Sequence, residues 1–136
     1  MGSKLLAALL IGGGTGYAPL RSMLRDLLDV GDRRPLHLYW GAQARQDLYE
    51  DEQVRALSAA HPNLRYTPVL SDARADDNWT GRRGLVHAAA LEDHPRLQDF
   101  DVYASGPPAM VEAVRHEFTE RGLPAQQLFF DSFDYA

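Results

Sequence analysis

An uncharged run of seven apolar residues, 5–11, stands near the start of the chain. It lacks the alternation of apolar and polar positions typical of a half-buried strand, which favours a central strand covered on both faces, as in a parallel sheet. The run is too short to span a bilayer, which takes about 20 apolar residues. After the glycine-rich residues 12–16, apolar positions three and four apart in residues 18–30 predict a helix.

Strand and helix patterns continue to alternate along the rest of the chain. We expect further strands at residues 36–40, 64–70, 100–105 and 127–130, and further helices at residues 47–60, 85–91 and 107–121. Residues 71–83 form the longest irregular stretch. The alternation predicts an α/β fold of three αβα layers, with a five-stranded, doubly wound parallel sheet of the Rossmann-like type. Ligands of such sheets bind beyond the carboxyl ends of the strands, where the winding direction reverses.

Composition narrows the classes of function. The 136 residues suit one domain over residues 1–136, with residues 1–3 typical of a vector-derived start. The formal net charge of −5 argues against a nucleic-acid surface, which normally carries a basic patch. Without cysteine, the chain holds no disulfide, cysteine-ligated zinc or cysteine-ligated iron–sulfur cluster, and its five histidines lack metal-ligand spacing. No secretory signal is visible, so we expect a cytoplasmic protein without a membrane partner.

The glycine turn at residues 12–16 is the first candidate for chemistry. A strand that runs through glycines into a helix presents free backbone N–H groups at the positive helix end, which makes an anion site. The pyrophosphate of a nucleotide is a natural anion for it. A purely structural tight turn is the alternative, because the spacing departs from G-x-G-x-x-G. Pro19 suits the first helical turn, where an N–H has no intrahelical partner.

Four motifs together resemble one known family. They are GGTGYAP at residues 13–19, WGAQARQDLY at 40–49, WTGRRGLV at 79–86 and SGPPAM at 105–110. In this order they resemble the nucleotide-binding lobe of the ferredoxin-NADP reductase family. The resemblance implies that the first turn approaches the pyrophosphate and nicotinamide ribose of NAD(P)H, and that Thr15 lies beside the nicotinamide. The implied cofactor contacts in this turn are Gly13, Gly14, Thr15, Gly16 and Pro19.

The ends of the second and third strands carry the implied adenosine site. Gln43 stands where the family has an arginine near the adenosine ribose, and Arg45 follows two residues on. Ser71 is followed by Asp72, where photosynthetic-type members carry an arginine that grips the 2′-phosphate of NADPH. An aspartate would repel that phosphate, so NADH is the expected nucleotide and NADPH the less favoured alternative. Asp47 suits either a ligand contact or the N-cap of the second helix.

The end of the fourth strand carries four more implied cofactor contacts, Ser105, Gly106, Pro107 and Met110. Serine replaces the family's cysteine, which sits against the nicotinamide C4. Ser105 and Thr15 are therefore the candidate catalytic residues, and they act by positioning the ring, because hydride transfer needs no nucleophile. A serine-hydrolase elbow, G-x-S-x-G, does not match, since Tyr103 and Pro107 occupy the glycine places.

Three aromatic residues have structural alternatives. Tyr49 suits either a ligand contact or core packing. Trp79 is expected to cap the sheet edge. Phe133, near the carboxyl end, lies close to the flavin if the resemblance extends that far, and packs in the core otherwise.

Members of the family pair this lobe with a β-barrel that holds FAD or FMN, and many add a [2Fe-2S] domain. The chain offers neither a barrel-length β segment before its first strand nor a cysteine, so we expect a fragment of a larger reductase. The resemblance implies hydride transfer from NAD(P)H to flavin on a domain of the same protein. Electrons would then pass to an iron–sulfur centre, a ferredoxin, an oxygenase or a deoxysugar-forming enzyme, and the isolated lobe would bind nucleotide weakly. The alternatives are a stand-alone regulatory nucleotide-binding module and a flavodoxin-like FMN protein.

Overall fold

The computed structural model describes residues 6–132, which form a parallel sheet covered by helices on both faces. The strands are β1 (Ala7–Gly13), β2 (Leu36–Ala42), β3 (Leu64–Leu70), β4 (Arg82–Arg83), β5 (Phe100–Gly106) and β6 (Leu128–Ser132). The helices are α1 (Tyr17–Asp29), α2 (Asp51–Ala60), α3 (Val86–Asp93) and α4 (Pro108–Glu120). The strand order is β4-β3-β2-β1-β5-β6, and the neighbouring strands run parallel.

The first strand lies at the centre of the sheet, and its residues 8–11 are fully buried. Successive side chains of a strand point to opposite faces. Leu10 accordingly packs in the core cluster beneath α1 and α2, whereas Leu9 and Ile11 pack in the cluster beneath α3 and α4. Because both faces of β1 are covered, the strand is apolar throughout and shows no alternation. The predicted αβα architecture is confirmed.

The winding direction reverses between β1 and β5. From β1 the chain moves outward through β2, β3 and β4, and then crosses to β5 and β6 on the other side. Gly12 pairs with Ser105 in the register of β1 and β5, so the two strands end level with each other. The glycine turn after β1 and the proline-rich turn after β5 therefore lie side by side at the switch point, where such sheets bind ligands.

Two details differ from the sequence predictions. The sheet has a sixth strand, because Arg82 and Arg83 pair with the end of β3, and two charged residues give no apolar pattern to predict a strand from. The second helix begins at Asp51 and has Glu50 as its N-cap, so the N-cap prediction for Asp47 is wrong. The Asp47 carboxylate instead accepts a 3.2 Å hydrogen bond from the Ala44 N–H, which closes a short 3-10 turn ahead of the helix.

Among the helices within residues 6–132, none is both long enough and apolar enough to cross a membrane.

Candidate functional site

A cleft of about 580 Å³ follows the carboxyl edge of the sheet. Its lining comes from residues 13–15 after β1, residues 41–43 at the end of β2, Gln46, Asp47 and Tyr49 ahead of α2, Ser71 after β3, residues 84–86 before α3, and Pro107 and Met110 after β5. These positions extend over four strand spacings, which is about 19 Å at ~4.8 Å a strand. The cleft is therefore elongated and suits a ligand with a group at each end.

The glycine turn forms the middle of the cleft. Gly14 adopts φ +56°, a conformation that favours glycine, and the turn passes directly into α1 at Tyr17. No acidic residue lies in the first turn of α1 and no side chain caps its amino end, so its positive end is not neutralised locally. Backbone N–H groups at such a helix end favour an anion.

The turn after β5 closes one end of the cleft. Gly16 packs so tightly there that a Cβ on it would collide with the Ser105 carbonyl oxygen. Ser105 is 2% exposed, and its hydroxyl has no hydrogen-bond partner within the described part of the chain. A buried hydroxyl without a partner is costly, and it suits a site completed by a ligand. Pro107 is the N-cap of α4 and Pro108 its first residue. The Met110 N–H donates a 3.1 Å hydrogen bond to the Pro107 carbonyl oxygen.

An aromatic stack supports the cleft from the α1 side. Tyr17 stacks on Trp40 with ring centroids 3.9 Å apart, and Tyr49 meets Trp40 edge-on at 5.0 Å. The Tyr17 hydroxyl donates a 2.9 Å hydrogen bond to Glu50. Burial and this bond to a carboxylate raise the pKa of Tyr17 above its usual value. Tyr17 therefore stays a neutral structural residue.

Two exposed apolar side chains, Tyr49 and Leu85, line the cleft. Tyr49 is 51% exposed and belongs to the aromatic stack on the α1 side of the sheet. Leu85 is 61% exposed and leads into α3 on the opposite side, directly after Gly84 with φ +111°. The cleft thus has apolar walls from both helical layers, with Tyr49 beside Trp40 of β2 and Leu85 after β4, and a flat ring could lie between them.

At the ends of β2 and β3 the described lining residues include the acidic Asp47 and no arginine or lysine. Gln43 and Ser71 line the cleft, and the Asp72 N–H donates a 2.9 Å hydrogen bond to the Gln43 carbonyl oxygen. The Arg45 guanidinium donates instead to the Asp77 carbonyl oxygen at 3.0 Å. The positive charge nearest to Gln43 in sequence is therefore held by the loop that contains Asp77.

The structure brings half of the predicted cofactor contacts together on the cleft surface: Gly13, Gly14, Thr15, Gln43, Ser71, Pro107 and Met110. Three others, Gly16, Ser105 and Gly106, are buried behind that surface. Pro19, Arg45 and Asp72 are exposed and do not line it. Phe133 lies outside the described residues.

Sequence reasoning missed several lining residues, namely Gly41, Ala42, Gln46, Gly84, Leu85 and Val86. Gly41 and Ala42 could have been found, because they end β2 at the edge where ligands bind. Gly84 and Leu85 belong to the WTGRRGLV motif, whose second glycine was the available signal.

No group of three or more His, Asp or Glu side chains within residues 6–132 is arranged to hold a metal ion. His37 lies buried on β2, where its ring nitrogens are 2.9 Å from His94 Nε2 and 2.8 Å from Thr67 Oγ1.

A family comparison agrees with this geometry. The model of the oxidoreductase NAD-binding domain family matches residues 10–116 of the chain. The chain belongs to this family. The resemblance noted in the four sequence motifs is thereby confirmed, and the matched region contains the glycine turn, the ends of β2 and β3, and the turn after β5.

Individual relatives of this NAD-binding domain are reductases. The chain is 42% identical over 128 residues to the CDP-6-deoxy-L-threo-D-glycero-4-hexulose-3-dehydrase reductase of Yersinia pestis, covering 94% of the chain and 38% of that protein. It is 37% identical to a probable flavin reductase of Aliivibrio fischeri, covering 93% of the chain and 53% of that protein. The crystal structure of the Amycolatopsis cytochrome P450 reductase GcoB superposes with a TM-score of 0.85 at 34% identity, covering 95% of the chain and 38% of GcoB. The chain thus spans from about two fifths to half of these relatives.

Proposed function

We propose that this NAD-binding domain is the NAD(P)H-binding lobe of a flavin-dependent reductase. One observation carries the proposal: an elongated cleft joins the glycine turn at the positive end of α1 to the ends of β2 and β3, where no described lining residue is cationic, and to the turn after β5. A dinucleotide has an anionic pyrophosphate between two ring-bearing halves. The glycine turn in the middle of the cleft suits the pyrophosphate, and the two ends of the cleft suit the two halves.

The residues present fit the nucleotide. Gly13 and Gly14 would hold the pyrophosphate, because their backbone lies ahead of the positive end of α1 and the space above Gly14 is open. Gln43 and Ser71 would contact the adenosine, and the apolar walls at Tyr49 and Leu85 would enclose the adenine. The nicotinamide would lie near Thr15, where the buried Ser105 hydroxyl and Gly106 support the adjoining turn.

The chain's own contribution to the reaction is positional. When bound, reduced nicotinamide supplies a hydride to the flavin, so the protein has no nucleophile or acid to provide. Thr15 would orient the ring from the cleft surface, and Ser105 would act from behind that surface through the turn after β5. The tight contact of Gly16 with the end of β5 would keep the two turns at a constant spacing. Correct orientation of two reactants is worth a large share of a barrier, on the order of several kcal/mol.

NADH is the proposed nucleotide, ahead of NADPH. A 2′-phosphate needs cationic groups at the ends of β2 and β3, and Gln43 is neutral while Asp72 is negative. Four arginines follow these strands, Arg45, Arg74, Arg82 and Arg83, and the guanidinium groups of three of them already have partners. Arg45 donates to the Asp77 carbonyl oxygen, Arg82 to the Asp93 carboxylate and Arg83 to the Trp79 carbonyl oxygen. Recruiting one of them would mean breaking an existing contact.

The remaining parts of the reaction belong to other domains in this proposal. The chain spans 38% of the hexulose-3-dehydrase reductase and of GcoB, so the flavin, FAD or FMN, would be held by a further domain of a larger reductase. A [2Fe-2S] centre on another domain, or a ferredoxin or oxygenase in the cytoplasm, would take the electrons onward. The reductase names of the relatives favour this function over a stand-alone regulatory module.

An NMR titration of the ¹⁵N-labelled chain with NADH tests the proposal. Amide shifts are expected at Gly13, Gly14, Thr15, Gln43, Ser71 and Gly106. The groove between α4 and β6, lined by Arg115 and Phe130 among others, serves as the internal control and should not respond. Shifts confined to that groove, or the absence of shifts up to millimolar NADH, would contradict the proposed site.

A further inference from the structure

The side chain of Met110 occupies the notch where the two turns meet. A Cβ built on Gly13 would lie 2.6 Å from Met110 Sδ, and one built on Gly106 would lie 3.1 Å from both Sδ and Cε. The thioether therefore fills the space that a side chain at either glycine would enter. Gly13, Gly106 and Met110 together define this notch, which lies at the β5 end of the cleft.

The backbone around the notch has little room to move. A Cβ on Gly106 would also lie 3.2 Å from the Gly13 nitrogen, and Gly16 is packed against the Ser105 carbonyl oxygen. Both turns follow directly from paired central strands, β1 and β5. Met110 is different, because it is half-buried on the first turn of α4, and an unbranched thioether changes rotamer readily. Of the groups at the notch, the methionine side chain is the one free to give way.

We infer that Met110 is a displaceable plug, which must swing out of the notch before a nicotinamide ring can enter beside Thr15. The inference rests on the proposed function, since it concerns the nicotinamide end of the same cleft. Gly14, above which the space is open, and the adenosine end at Gln43 and Ser71 remain accessible with the plug in place. Met110 therefore distinguishes nucleotides that carry a nicotinamide ring from those that lack it. It affects the binding of the nicotinamide half of the dinucleotide and not of the adenosine half.

The plug makes a quantitative prediction. When a binding-competent state is only fractionally populated, the apparent Kd rises by the inverse of that fraction. A notch that is open in about one molecule in ten would weaken NADH binding about tenfold. ADP-ribose, which keeps the pyrophosphate and adenosine but lacks nicotinamide, would bind at its full affinity.

Comparing NADH with ADP-ribose on three chains tests the inference by NMR titration. Met110→Ala should bind NADH about tenfold more tightly than the natural chain and ADP-ribose within about twofold of it. Met23→Ala is the matched control, since Met23 belongs to α1 and packs on the opposite face of the sheet, and it should change neither Kd. If Met110→Ala weakens the binding of NADH alone, Met110 contacts the nicotinamide ring favourably and does not block it. If the variant changes the Kd of NADH and of ADP-ribose equally, its effect does not depend on the ring. Either result overturns the plug.

A second measurement needs no substitution. In the natural chain, the nuclear Overhauser contact between the Met110 ε-methyl group and the Gly106 α-protons should disappear with NADH and persist with ADP-ribose. A contact that persists with saturating NADH overturns the plug while leaving the proposed function intact. A chain that binds neither NADH nor ADP-ribose overturns the proposed function and this inference with it.

Discussion

The indole N–H of Trp40 donates a 3.0 Å hydrogen bond to the carbonyl oxygen of Gly14. Trp40 is fully buried on β2, and Gly14 is the positive-φ residue of the turn after β1. The bond therefore ties the conformation of the glycine turn to the neighbouring strand. Because Trp40 also stacks on Tyr17 at the start of α1, the strand, the turn and the helix end form one braced unit.

Trp40→Phe should weaken both the fold and nucleotide binding. The substitution removes the donor to Gly14 and leaves a small void, which together cost about 1–3 kcal/mol of unfolding free energy. NADH affinity should fall severalfold, because the turn loses its brace. Urea unfolding and an NADH titration measure the two effects.

Tyr17→Phe is the control for that variant. It removes the hydrogen bond to Glu50 and keeps the ring that stacks on Trp40. We expect a loss of about 1 kcal/mol with unchanged NADH affinity. If both variants lose affinity in proportion to their stability, the Trp40 bond has no specific role at the turn.

The fold and the middle of the site could be predicted because their signals are local. The uncharged run of β1 and the glycines after it are contiguous, and the sheet topology then brings the ends of β1 and β5 together. The adenine end depends on tertiary packing instead. Whether Tyr49 and Leu85 are covered or exposed depends on how two helical layers meet the sheet edge, and residue type does not reveal it.

Charge at the site was equally hidden from the sequence. Arg45 stands beside Gln43 in the chain, but its backbone and guanidinium hydrogen bonds go to Asp77, 32 residues away. β4 was missed for a related reason, because Arg82 and Arg83 form a strand only through backbone pairing with β3. Long-range pairings of polar residues leave no periodic pattern.

The apolar walls at Tyr49 and Leu85 should contribute to adenine binding. Stacking of a base on an aromatic side chain is worth about 1–3 kcal/mol, so Tyr49→Ala should weaken AMP binding about tenfold. Tyr49→Phe should retain affinity, because it keeps the ring. Leu85→Ala should weaken binding less, and Val30→Ala, another exposed aliphatic residue outside the cleft, is its control. Equal AMP affinities for all four variants would show that adenine does not bind between Tyr49 and Leu85.

Nucleotide choice should respond to charge at position 72. A charge-assisted hydrogen bond contributes about 1.5–3 kcal/mol, so Asp72→Arg should improve NADPH binding relative to NADH about tenfold or more. Asp72→Asn should give a smaller gain, since it removes repulsion without adding a partner. Calorimetry at constant ionic strength measures the ratio of the two Kd values.

The control for Asp72→Arg is Asp76→Arg, which makes the same change of charge four residues on, in the 3-10 turn Ala75–Asp77. If it raises the NADPH preference equally, the effect is one of net charge and Asp72 has no place at the 2′-position.

Acid should destabilise the domain through His37. The ring is 3% exposed, and burial, with Arg65 and His94 adding to it, lowers the pKa of His37 from 6.5 to about 3. Nearby Asp93 opposes this shift and Arg82 adds to it. Since the unfolded chain takes up a proton near pH 6.5 and the folded chain does so only near pH 3, stability is fully present above pH 6.5 and is lost as the pH falls toward 3.

His37→Gln should flatten this pH dependence. A difference of one bound proton changes the free energy of unfolding by about 1.4 kcal/mol for each pH unit. Between pH 6 and 4, the natural chain should therefore lose up to about 1.4 kcal/mol per pH unit more than the variant. Urea unfolding at several pH values measures the difference. His116→Gln changes an exposed histidine beside Glu120 and should follow the natural chain. If the stability of His37→Gln and that of the natural chain fall in parallel with pH, His37 takes up its proton equally in the folded and unfolded chain. The buried His37 ring would then have no part in the loss of stability in acid.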